Sequence, residues 1–224
     1  MPFPTTGILD NFNRANEGPY PSANWDGKIL SGDGTSFSVI ANQCKAGSNA
    51  ARMYWKASTF GPDCEAYATI VTVPVAGTFS DVALLLRVQQ PGTGGAGGTT
   101  TDGYYAGWTN LAGSDQLVFF RIDNESFTQL GSTQTPGNMV DGNKFGASMI
   151  GSTIQAYVDT GGGWAAFGTS VTDATYTAAG YLGVLTGESA TVLDDFGGGT
   201  AAAVVRGPQS RPFPFKPGSP RGLR

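Results

Sequence analysis

Apolar residues recur at every second position in short runs along this chain. Val82, Leu84, Leu86 and Val88 do so in DVALLLRVQ, Val118, Phe120 and Ile122 in QLVFFRID, and Ile154, Ala156 and Val158 in TIQAYVD. Period two places alternate side chains on one face of an extended backbone, so each run predicts a strand with one buried face. FSVIANQ, ARMYWKA, CEAYATIVTV, GYYAGWTN, NKFGASMI, AAGYLGVLTG and ATVLDDF are further runs of this kind. No segment carries the 3.6-residue repeat of an amphipathic helix.

Turn chemistry separates the runs. Asp-Gly steps stand at Asp26, Asp33, Asp102 and Asp141, and an Asp-Asn step at Asp123. These pairs tolerate the positive φ that two-residue hairpin turns require. Many short strands with such turns predict an antiparallel sandwich or barrel, which 34 glycines in 224 residues suit. PGTGGAGGTTTDG, from Pro91 to Gly103, contains a formal G-x-G-x-x-G at Gly92, Gly94 and Gly97. A dinucleotide site needs a helix next, whereas a strand run follows, so the stretch reads as a flexible hairpin loop.

Charge is scarce and unevenly placed. Residues 1–205 hold 8 basic and 17 acidic side chains, a net of −9; Arg206, Arg211, Lys216, Arg221 and Arg224 follow with no acid among them. An acidic body argues against nucleic-acid binding through that body, because phosphate contacts need clustered Lys and Arg. An acidic body with a basic tail favours head-to-tail contact between copies. Five prolines fall in the last 17 residues, so residues 201–224 read as an extended, proline-rich arm with Phe213 and Phe215 as its apolar anchors. No basic-then-apolar leader opens the chain and no apolar run reaches membrane-spanning length. The expected setting is virion or extracellular, reached by lysis or by a route without a signal peptide.

Catalytic options are narrow. There is no His, which removes the commonest neutral-pH base and any Ser-His-Asp triad. Only Glu17, Glu65, Glu125 and Glu188 supply glutamate carboxylates. Cys44 and Cys64 are too few for a zinc site, leaving a disulfide or two buried thiols. The disulfide is the expectation; it would close a loop of about 20 residues, stabilise by roughly 3 kcal/mol and imply work outside a reducing cytoplasm.

LDNFNRANEGP with Asn24-Trp25, then CEAYATI, ALLLRV and GYYAGW, then GGGW at Gly161–Trp164, and finally AAGYLGVLTG with VLDDFGGG occur in an order that resembles the concanavalin A-like lectin and glucanase superfamily. The closer likeness is to its laminin-G-like jelly-roll modules, of the kind found in bacteriophage virion proteins. The resemblance covers about residues 8–199. It implies that the first and last strands lie side by side, so ILDNF and VLDDF become partners, with Leu9, Phe12, Leu193 and Phe196 in the core and Asp10, Asp194 and Asp195 at the rim. The superfamily's glucanases carry E-x-D-x-x-E on one strand, and no Glu here begins such a run. Its legume lectins hold metals with a run of Asp and Asn that has no match here, so no metal and no cofactor is expected.

Two readings of the central strands stay open. Glu65, Arg87, Tyr105, Trp108 and Arg121 could form a binding face on which a guanidinium and aromatic rings cradle a sugar or a peptide. Alternatively, Glu65 and Arg87 form a half-buried bridge between adjacent strands, the favoured reading. The fold expected is all-β: one antiparallel jelly-roll sandwich over residues 1–200 and an extended arm over 201–224. The function expected is non-enzymatic and structural. The chain would be a bacteriophage head-decoration or tail component whose arm docks on neighbouring subunits through Arg206, Arg211, Phe213, Phe215, Lys216 and Arg221. The alternative is a carbohydrate-binding module or adhesin for a host surface glycan.

Overall fold

The computed structural model describes residues 2–27, 37–77, 81–91 and 100–202. The basic arm residues, the Asp33-Gly34 step and most of the glycine-rich stretch lie outside these. Among the described residues there is no helix, and the strands are β1 (Ile8–Asp10), β2 (Trp25–Asp26), β3 (Phe37–Ile40), β4 (Gln43–Ala46), β5 (Ala51–Trp55), β6 (Cys64–Thr72), β7 (Asp81–Gln89), β8 (Asp102–Thr109), β9 (Gln116–Asp123), β10 (Ser126–Gln134), β11 (Lys144–Ile150), β12 (Thr153–Asp159), β13 (Ala165–Thr172), β14 (Tyr181–Thr186) and β15 (Val192–Thr200). One sheet runs β13-β12-β11-β6-β15-β4-β3, with β1 also on β15; the other runs β10-β9-β8-β7-β14-β5-β2. Every pairing is antiparallel.

The core lies between the sheets. Phe119, Leu84, Leu86, Tyr104, Trp108, Val184 and Met53 of one sheet meet Ile70, Ala66, Phe145, Met149, Leu193 and Phe196 of the other, all within 2% of complete burial. Trp25 is fully buried among Phe12, Trp55 and Phe196 with ring centroids 4.9–6.2 Å apart.

The two look-alike ends do pair. Ile8 lies opposite Gly197 and Asp10 opposite Phe196. Phe12, Leu193 and Phe196 are in the core, and Leu9 packs against it half-buried. Asp10 departs from the rim position expected for it. It is buried, accepting Trp25 Nε1 at 2.8 Å, the Phe12 amide at 2.9 Å and two bonds from Arg14 at 2.6 and 2.9 Å. Burial works to raise the Asp10 carboxyl's pKa, but those donors together hold it below the usual carboxylate range. The step after Asp123 is a hairpin turn, with Asn124 at φ +44° and Glu125 at φ +66°. Asp102, expected in a turn, instead opens β8 and accepts the Asn124 amide at 2.8 Å.

The disulfide is a correction: both cysteines are buried free thiols. Cys44 lies opposite Leu193 and Cys64 opposite Thr200, on the two flanks of β15. Seven residue steps along that strand separate them by roughly 23 Å, far beyond the roughly 7 Å limit between bridged Cα atoms.

Glu65 and Arg87 do not pair either. They stand on different sheets, so the expected cross-strand bridge is replaced by two unrelated clamps. Glu65 Oε1 accepts the amides of Thr5 and Thr6 at 2.5 and 2.7 Å and their hydroxyls at 3.1 and 2.8 Å. This pins the N-terminal segment across the outer face of the larger sheet, where Phe3 stacks on Tyr157 at 4.0 Å and meets Trp164 edge-on. Arg87, 1% exposed, donates to the carbonyls of Pro62, Gly151 and Tyr176 at 2.6–2.8 Å and closes one end of the sandwich.

Candidate functional site

The outer face of the seven-stranded sheet carries an apolar cluster of its own. Ala83, Leu85, Val88, Tyr105, Ile122 and Leu185 are buried there, with Tyr54, Val118, Phe120 and Tyr181 packed against them. Strand register explains the shape of this face. One rung across it reads Phe120, Tyr105, Leu85, Gly183, Tyr54, and the next reads Val118, Gly107, Ala83, Leu185, Arg52. The small residues Gly107 and Ala83 leave the second rung low at its centre. A Cβ at Gly107 would come within 2.3–2.6 Å of the hydroxyl end of the Tyr105 ring, so the glycine lets that ring lie over it along β8.

A cavity of about 420 Å³ occupies this depression. Arg52 and Leu185 form one wall, the rings of Tyr105, Phe120 and Phe127 the other, and Asn49, Asp81, Gly187 and Glu188 the end. The three rings meet edge to face in every pair, with centroids 5.6, 5.8 and 6.0 Å apart. Such packing fixes each ring without rotamer freedom to lose on binding. Phe127 remains 42% exposed.

The end wall is held by backbone bonds. Gly187 N donates to Asp81 O at 2.9 Å, Ala50 N to Gly187 O at 3.0 Å, and Ser189 N to Asn49 Oδ1 at 3.0 Å. The Tyr105 hydroxyl donates to Asp81 Oδ2. Burial pushes the Asp81 carboxyl above the usual range, a shift the Tyr105 bond and the Arg52 charge oppose. Burial also drives the Tyr105 phenol well up and the Arg52 guanidinium down. The result is a concave site with ring edges and faces on one side and carboxyl, amide and guanidinium groups on the other. Such a site can hold a small ring that has an apolar face and a polar rim.

No protein-family model and no curated protein matches the sequence. Solved structures match it in fold. The Emp47p carbohydrate recognition domain superposes with TM-score 0.58 at 11% identity over 88% of this chain and 95% of that one. Carbohydrate-binding module CBM66 from Bacillus subtilis does so with TM-score 0.53 at 14% identity over 81% and 98%. The CBM2 module of the evolved Dit protein of Lactobacillus casei BL23 phage J-1 has TM-score 0.51 at 9% identity over 86% and 95%. What they share with this chain is the fold, an antiparallel β-sandwich of the kind those carbohydrate-binding and lectin-like domains have.

Within this sandwich, the residues expected to share one binding face are dispersed. Only Tyr105 lines the cavity. Trp108 points the other way, into the core, where it meets Phe145 and Phe167 and donates Nε1 to Gly137 O at 3.1 Å. Glu65 and Arg87 are the clamps described above. Arg121 sits at the Arg87 end of the sandwich, paired with Asp123 at 2.8 Å and Asp173 at 2.9 Å. Asp173 also accepts Tyr104 OH at 2.7 Å, and Tyr176 OH donates to Asp123 at 2.7 Å and Asp102 at 3.0 Å. That network's donors are used internally, tying the loop after β13 to β8 and β9.

Arg52, Asp81, Phe120, Phe127 and Glu188 were not among the expected site residues. The signal for this face lay in broken alternation. Leu84-Leu85-Leu86 and Phe119-Phe120 are apolar without interruption, which a strand shows when both of its faces carry apolar side chains. Phe127 had no signal of its own, because β10 is mostly polar and largely exposed, with Leu130 as its one other large apolar side chain.

Proposed function

We propose that this chain is a non-catalytic carbohydrate-binding module and that the cavity on the outer face of the seven-stranded sheet takes the sugar. The observation that supports this most is the meeting of Tyr105, Phe120 and Phe127 with Asp81, Glu188, Asn49 and Arg52 around one 420 Å³ depression. A pyranose has apolar C–H faces that stack on such rings and hydroxyls that carboxylate, amide and guanidinium groups bond. Two structures of the same fold are a carbohydrate-binding module and a carbohydrate recognition domain, which favours this reading over a purely structural one.

Retention of the full chain on a panel of immobilised polysaccharides tests it. Phe127→Ala should weaken retention by about tenfold, the loss of one stacked ring. Tyr105→Phe should weaken it less, by releasing Asp81. Absence of retention on every glycan, or retention unchanged by both substitutions, would count against the proposal.

A second reading keeps a phage setting: a virion component that binds a host surface glycan while residues 201–224 engage neighbouring subunits. Its support is the likeness to a module of a phage Dit protein, together with the basic, proline-rich composition of that segment. The chain would then act on the virion or outside cells.

A further inference from the structure

We propose that the outer-face cavity also receives the basic C-terminal segment of a second copy of this chain, joining copies head to tail. The inference goes beyond glycan binding and does not require it.

Chemistry supports it first. Residues 203–224 carry Arg206, Arg211, Lys216, Arg221 and Arg224 with no acid, and Phe213 and Phe215 between prolines. The cavity presents Asp81 and Glu188 at its end, two carboxylates against the single Arg52 guanidinium of its wall, and an exposed aromatic ring, Phe127, opposite. Cations and rings thus face carboxylates and rings.

Position supports it next. Glu188 lines the cavity and its backbone carbonyl accepts the Thr191 amide in the turn that leads into β15, so β15 begins beside the cavity. It ends at Thr200, at the opposite end of the sandwich, where Ala201 N donates to Asp63 O and Ala202 N to Thr5 Oγ1. Eight residue steps of about 3.3 Å put this departure point about 26 Å from the cavity end. From Ala202 to Phe213 is eleven residues, about 34 Å of extended proline-rich chain. To reach its own cavity the segment would have to double back along the sandwich and cross both sheets, about 10 Å apart, a path of about 36 Å that takes all of the reach to Phe213 and nearly all of the roughly 40 Å to Phe215, whereas a neighbouring copy asks for no such reversal. In a copy stacked end to end, the cavity end adjoins the departure point. Because segment and cavity are different surfaces, the contact is heterologous and leaves an open chain of subunits.

Sedimentation velocity on full-length proteins tests this. The wild type should form species larger than dimers that dissociate as salt rises from about 0.05 to 0.5 M. Phe213→Ser with Phe215→Ser, and separately Phe127→Ser with Glu188→Lys, should each weaken association by about a hundredfold, from two lost ring contacts or one ring and one charge. Phe127 packs edge-on against Tyr105 and Phe120, so the cavity variant should lose a few degrees of unfolding temperature yet stay folded under the conditions of sedimentation. An equimolar mixture of the two should associate again and stop at dimers, since only one working segment and one working cavity remain. A monomeric wild type at low salt, variants that associate as the wild type does, or a mixture that stays monomeric would overturn the proposal. Adding a bound glycan should dissociate the wild-type assembly; failure to find any glycan leaves the sedimentation result decisive by itself.

Discussion

Replacing Arg87 by Met should cost far more than any surface substitution, and independently of Glu65. The Arg87 guanidinium is 1% exposed and bonds three carbonyls from three separate segments, at Pro62, Gly151 and Tyr176, with Asp63 3.8 Å away. Met fills much of the same volume but leaves those carbonyls without their donor. Removing one partner of a buried charged network costs about 3–5 kcal/mol. At about 2–4 °C per kcal/mol for a domain of this size, the expected fall in Tm is about 6–20 °C. Glu65→Gln keeps an acceptor but removes the charge that four donors share, costing about 2 kcal/mol. Because the two side chains share no partner and belong to different sheets, the double variant should lose about the sum of the two, within ~0.5 kcal/mol. Urea titration of the four proteins measures the coupling directly. A coupling above ~1 kcal/mol would refute the separation of the two clamps and restore the cross-strand bridge.

The buried Asp10 makes stability pH-dependent. Its folded pKa lies below that of the unfolded chain, so its contribution is present above about pH 4 and is lost as pH falls through the folded value. Asp10→Asn should therefore be destabilised against the wild type at pH 7, with the gap closing toward pH 2; a gap that widens in acid would reverse the assignment. The cysteines offer a chemical check. Burial pushes the Cys44 thiol well above its usual range and raises Cys64 to about 12, so neither should react with iodoacetamide in the folded protein. Unfolded without reductant, the chain should gain two adducts by mass spectrometry, and none if the two were bridged.

The architecture was legible because alternation is a backbone property. Side chains two residues apart share a face whatever they touch, so β7, β9 and β12 could be read directly from DVALLLRVQ, QLVFFRID and TIQAYVD. β10 and β13 left little trace, since SFTQLGSTQ and AAFGTSVT form exposed sheet edges with few apolar residues to alternate. The pairing of ILDNF with VLDDF came from resemblance, whereas the burial of Asp10 depended on where Arg14 and Trp25 lie in space. Sheet membership was hidden for the same reason. Glu65 and Arg87 stand on consecutive strands, β6 and β7, yet the connection between those strands crosses from one sheet to the other. That crossing dispersed the expected binding face. The uninterrupted apolar stretches Leu84-Leu85-Leu86 and Phe119-Phe120 were the available hints that a second face mattered.

Chemical-shift mapping of the isotope-labelled full chain, titrated with the best-retained oligosaccharide, tests the assignment of the ligand cavity most directly. The amides of Arg52, Asp81, Tyr105, Phe120, Phe127 and Glu188 should shift together and saturate with one affinity. Shifts confined instead to the Arg121–Asp173 end, or to the Tyr157–Trp164 face of the larger sheet, would contradict it.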